Sequence, residues 1–208
     1  MAVGIQRRNG RPPAGGRLTG GGTDGNEQLT AAVGAALVVI LAVLGVTLLR
    51  MHQLIWVHLF VGLALIGPVA VKLGSTGYRF VRYYTHDPAY RRKGPPELVL
   101  RVLGPGLILT TLAVLASGIV LMLDGPARQG RWLEIHKVSF IVWGVLLAAH
   151  VLGHLRQMPR ALRAAATHSG AAGRTLALAG GLLAGLLIAA VLIPDFASWT
   201  SVTAFRHH

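Results

Sequence analysis

The sequence predicts an all-α membrane protein with five transmembrane helices, a four-helix bundle plus one additional helix. Two observations carry that expectation. The 208-residue chain is 53% hydrophobic and only 13% charged, and its apolar residues fall in long uninterrupted runs rather than amphipathic stripes, which is a membrane composition. Five runs hold no Asp, Glu, Lys or Arg over the ~17 to 25 residues a helix needs to cross a bilayer. They are Ala31–Leu49, Leu54–Val71, Val102–Leu123, Val138–Leu155 and Thr175–Pro194.

Residues 1–28, rich in Gly, Arg and Pro, carry too little apolar surface to bury a core and are expected to form a disordered basic cytoplasmic tail. Arg7 and Arg8 are twin arginines, but a polar stretch separates them from the first apolar run. A cleaved export signal sets its charges directly against its apolar region, so this run is read as a retained helix. Helix one ends near Leu49 and helix two begins by Gln53, which makes RMHQ a tight turn between antiparallel neighbours. Helix two passes Pro68 and leads into STGYRFVRYYTHDPAYRRKGPPE, a basic, aromatic loop closed by Gly94, Pro95 and Pro96. Its expected role is anchoring at the headgroups, with docking of a soluble partner as the other reading. Helix three stops at DGPARQGR, a turn sequence, and helix four follows. Residues 29–155 are therefore the bundle, 156–173 a cytoplasmic loop, 174–194 the fifth helix and 195–208 an extracytoplasmic tail. The fifth helix is rich in Gly and Ala, which lets helices approach closely, so it is read as a packing helix or a partner-facing anchor.

A net charge of +13 in a soluble protein would point to nucleic acid. Here the basic residues lie between apolar runs and report topology instead. Thirteen of them fall in the tail and loops on the N-terminal side, against Arg50, Arg128, Arg131 and Arg206 on the other. That bias places the N-terminus in the cytoplasm and the C-terminus outside an inner (plasma) membrane. There is no cysteine, which excludes disulfides, thiolate metal sites, iron–sulfur clusters and covalently attached haem. Histidine is the strong soft ligand that remains.

Of nine histidines, His207 and His208 lie in the tail, His86 and His168 in loops and His52 in a turn. The informative ones are His58 in helix two and His136, His150 and His154 in helix four, because intramembrane titratable residues are costly and normally face the bundle interior. His136 and His150 are fourteen residues apart, about 40° short of four full turns, so they share a face at levels about 21 Å apart. His154 lies one turn further along that face. Helices two and four both run inward, which puts His58 and His136 at similar depth near the outer surface. Two neutral imidazoles on facing helices at one depth suit a six-coordinate haem iron, and a bundle core is where such cofactors are built. Gly62, one turn after His58, leaves room for a flat macrocycle. Counting fourteen on from His58 gives Lys72, so the level of His150 has no imidazole opposite it, and a second haem is left open. Gly104 and Gly118, also fourteen apart, are candidates for flat contacts at the two levels.

Lys137, Arg131 and Arg50 stand where haem propionates would seek cations. Lys72 is read as snorkelling to the inner headgroups, and Trp56, Trp132 and Trp199 as interfacial aromatics. Met51, Met122 and Met158 sit at helix ends and rank below histidine as ligands. The acids near the spans, among them Glu97, Asp124 and Glu134, lie at or beyond their ends, which argues against a proton pump or cation transporter.

VHLFVG with His58, and IHKVSFIVWGVLLAAHVLGH with His136, His150 and His154, make the chain resemble the bacterial membrane-bound b-type cytochromes. These are helical-bundle electron carriers of hydrogenases, formate dehydrogenases and molybdenum oxidoreductases. The likeness covers about Gln53 to Leu155. That family usually supplies four matched ligands for two haems, and this chain departs from it at the inner level of helix two. The resemblance implies one haem b, with a second open, and an electron-transfer subunit rather than a stand-alone enzyme. It also implies exchange with quinone or quinol and an extracytoplasmic redox partner, a molybdenum enzyme or another oxidoreductase. The other function class is a non-redox membrane anchor or assembly subunit whose histidines are structural or bind zinc or copper.

Overall fold

The computed structural model describes residues 22–92, 94, 98–154 and 171–205, with the side chains of 98–101, 154, 171 and 202–205 outside that description. The regular structure among these residues is helical. In chain order it comprises α1 (Gly22–Leu49), α2 (Met51–Ala64), α3 (Ile66–Tyr84), the short α4 (Pro88–Arg92), α5 (Leu98–Asp124), α6 (Gly130–His154), α7 (Ala171–Val191) and α8 (Ala197–Phe205). Two 3₁₀ turns, Pro126–Arg128 and Ile193–Phe196, sit before α6 and α8. Five helical units are long and apolar enough to cross a membrane, α2 and α3 together forming one unit, Met51–Tyr84. The protein is an all-α membrane protein.

The helices divide into two groups. In the first, α1, α2, α3 and α7 pack against one another; in the second, α5 and α6 form a hairpin, and among the described residues α6 packs along α5 and against no other helix to a comparable extent. The first group is knitted by a proline and three glycines. Pro68 has no N–H to bond the carbonyl four residues earlier, and the helix breaks at Leu65 between α2 and α3. The Ala64 carbonyl so released faces Gly185 of α7, where a Cβ would overlap it, and a Cβ on Gly67 would overlap the Gly181 carbonyl. Gly181 and Gly185 form the small-residue spacing that lets membrane helices touch backbone to backbone. The fifth spanning helix is thus a packing element of the first group.

The two groups meet at one end, called here the Arg50 end. Leu63, Met122, Ala189 and Phe196 form a buried cluster there, from α2, α5, α7 and the second 3₁₀ turn. The Trp199 indole N–H of α8 reaches the Leu121 and Met122 carbonyls at 3.2 and 3.3 Å. The opposite, Tyr84 end is where α3 projects.

Three expectations are corrected. α1 begins at Gly22, so residues 22–28 of the expected tail are helical, held where the Asn26 amide donates to Ser75 O at 3.0 Å; residues 1–21 lie outside the described residues. The first half of the expected basic loop is the end of α3, which stops at Tyr84. The turn beyond it is fixed by the Arg82–Asp87 ion pair and by Ala89 N donating to Asp87 Oδ1 at 2.8 Å. The C-terminal tail is largely the 3₁₀ turn and α8, which clip α5 to α2. The expected 156–173 loop falls mostly outside the described residues, as do His168, Met158, His207 and His208.

Candidate cofactor site

Each histidine of the expected pair stands on the second helix of a hairpin and is held by a hydroxyl from the first. His58 lies seven residues into α2 and His136 six residues into α6, and both helices leave from the Arg50 end, so the two share a depth. The His58 Nδ1 lies 2.9 Å from Thr47 Oγ1 of α1. The His136 Nδ1 lies 3.1 Å from Ser117 Oγ of α5 and 3.1 Å from Val114 O. Thr47 and Ser117 are 2% and 1% exposed, so neither bond competes with solvent.

The direction of these bonds follows from where each hydroxyl spends its one hydrogen. Thr47 donates to Leu44 O, and Ser117 to Ala113 O at 2.6 Å, the usual back-bonding of a hydroxyl within a helix. Each oxygen is then left to accept, and the Val114 carbonyl can only accept. Both imidazoles therefore carry their proton on Nδ1, and both Nε2 atoms keep their lone pairs. Among the described residues neither Nε2 makes a hydrogen bond. Anchoring one ring nitrogen so that the other is free, neutral and oriented is the arrangement metal-binding histidines use.

Both rings line one cavity of about 1440 Å³ between the two helix groups. Such a volume exceeds the ~300 to 1000 Å³ of ordinary ligand pockets. Gly62 faces this cavity, with open space where a Cβ would stand. Gly118 instead meets the ring itself: a Cβ there would come to 3.2 Å from His136 Cε1, so glycine lets the imidazole lie against α5. Gly104 also lines the cavity.

The remaining candidates separate. His150 and Lys137 line the cavity, whereas Arg131 and Arg50 are exposed and stand apart from its lining. His154 ends α6, with its side chain outside the described residues. His86 follows the end of α3, exposed, with φ 66°. Met122 is buried in the cluster at the Arg50 end, and Trp199 lines the cavity rather than standing at an interface alone. The Lys72 Nζ turns into the bundle and donates to Thr30 O at 2.7 Å. At the Tyr84 end, burial raises the Tyr90 phenol above its ordinary pKa, with Tyr78 adding to the effect.

Thr47, Ser117 and Trp143, whose indole donates to Thr111 Oγ1 at 3.0 Å, are site residues that the sequence reading missed. A signal existed for two of them. A hydroxyl and a histidine equidistant from a hairpin turn face each other; Ser117 and His136 are nearly so about the Pro126–Arg128 turn, and Thr47 and His58 about Gln53, beside the non-helical Leu54. Compared with known protein families, characterised proteins and solved structures, the chain matches none.

Proposed function

We propose that this protein is a membrane b-type cytochrome that holds one haem between His58 and His136 and passes electrons between the quinone pool and an extracytoplasmic redox partner. The observation that carries the reading is the pair of Nδ1-anchored imidazoles at one depth, each with a free Nε2, on opposite sides of a cavity too large for an ordinary ligand. Haem supplies the one-electron chemistry when bound; the protein contributes ligation, burial and orientation. Thr47, Ser117 and the Val114 carbonyl would hold the ligand rings and make them more basic by accepting hydrogen bonds from Nδ1–H. Gly62 keeps the wall beside His58 flat, and Lys137 offers a cation at the rim.

Among the described residues no three His, Asp or Glu side chains gather as a metal site. A protein-only zinc site takes three or four such ligands, whereas haem iron takes two from the protein. The same hydrogen bonds would suit structural histidines in a non-redox anchor, but that reading assigns no occupant to the cavity. By the bias of basic residues, the Tyr84 end faces the cytoplasm and the Arg50 end, with α8, faces outward. A partner meeting the outer surface would then be near the His58 level.

The test is the absorption spectrum of the full chain purified from haem-replete cells. A sharp reduced α band and an intense Soret band at one haem per chain are expected. A colourless, haem-free preparation would sink the reading.

A further inference from the structure

The histidine pair leaves the other end of the cavity unexplained. Lys72, fourteen residues after His58, lines the same cavity from α3. Its ammonium donates to Thr30 O at 2.7 Å, and a Cβ on Gly34 would come within 3.1 Å of it, so glycine in α1 makes room for the head. Thr30 directly precedes the nineteen-residue run Ala31–Leu49, which spans about 28 Å at ~1.5 Å per residue, close to the ~30 Å of bilayer hydrocarbon. The ammonium therefore sits inside the bundle at the edge of the hydrocarbon layer.

An ammonium carries three donors, and a single carbonyl uses one. Among the described residues no carboxylate pairs with Lys72. The polar groups around it are engaged with each other: Thr30 Oγ1 lies 3.0 Å from Ser75 Oγ, the Asn26 amide donates to Ser75 O at 3.0 Å, and Ser75 Oγ donates to Lys72 O at 3.0 Å. They join α1 to α3 and offer the ammonium no counter-charge. A cation with unspent donors, at headgroup depth and opening on a large apolar cavity, matches a molecule with an acid head and an apolar body.

We infer that the Tyr84 end of the cavity binds an amphiphile by its acidic oxygen group, with Lys72 as the anion partner and the apolar body rising toward the histidines. The source is a fatty-acid carboxylate from the bilayer: Thr30 and Thr47, the partners of Lys72 and His58, are seventeen residues apart in α1, about 25 Å along its axis, beyond the reach of the propionates of a haem held at His58.

The proposal is tested with the full chain in nanodiscs of neutral phosphatidylcholine, using spin-labelled stearate against its methyl ester. A bilayer source predicts that wild type binds the stearate about ten- to a hundredfold more tightly than the ester, the range for a hydrogen bond to a charged group. Lys72→Met removes the preference, Lys72→Arg retains much of it, and ester binding is unchanged, which shows that the variants are folded. Equal binding of acid and ester by wild type, or an undiminished preference in Lys72→Met, would overturn the proposal. Absence of haem at His58 and His136 leaves the stearate comparison intact, so the two readings fail separately.

Discussion

The α1–α2 and α5–α6 hairpins use one device in different surroundings. In both, a hydroxyl on the outgoing helix bonds back to its own helix and accepts the Nδ1–H of a histidine on the returning helix. The α1–α2 hairpin is embedded, with α3 and α7 packed on it, whereas the α5–α6 hairpin stands across the cavity, joined to the first group at the Arg50 end. The contrast separates two jobs. Imidazole orientation is settled within each hairpin, and the spacing of the two rings by whatever holds the hairpins apart.

The largest expected effect breaks the symmetry of the device. His58→Ala and His136→Ala should each abolish low-spin haem absorbance at this site, although one hairpin is embedded and the other is not; unchanged spectra in both variants would refute the ligand pair. Next comes a change confined to the embedded group. Gly185→Leu places a side chain against the Ala64 carbonyl and should destabilise the protein by about 3 kcal/mol or more, read as a lowered unfolding temperature in detergent. The orienting bonds give a smaller and graded effect. Thr47→Val removes the sole partner of the His58 Nδ1 and should weaken haem binding about 10- to 100-fold. Ser117→Ala leaves Val114 O in place and should cost less than about tenfold; the reverse order, by haem titration, would contradict the inferred proton positions. The smallest effect concerns the clip between the groups. Trp199→Phe loses the bonds to the Leu121 and Met122 carbonyls and should cost about 1 kcal/mol, with the haem spectrum retained.

Much of this was legible in the chain. Apolar runs without charge fix five spanning helices because unpaired backbone and charge are too costly in hydrocarbon. The depth match of His58 and His136 followed from helix direction and rise alone, and the close packing of the fifth helix followed from its glycines. Helix ends were less readable. The start of α1 and the end of α3 are polar segments whose helicity depends on Asn26, Thr30 and Ser75 bonding across to each other, and the folded-back tail depends on Phe196 finding a buried cluster.

By itself, then, the sequence determined the class, the number of spans and which imidazoles share a depth, since these depend on hydrophobicity and on the regular rise and twist of a helix. Only the tertiary structure decided which nitrogen of each imidazole is tied, that α2 and α6 stand apart across a cavity, and that the Lys72 ammonium turns inward. Those depend on which helices touch, and that was settled by glycines meeting backbone carbonyls, among them the Ala64 carbonyl that Pro68 leaves free, contacts between residues far apart in the chain.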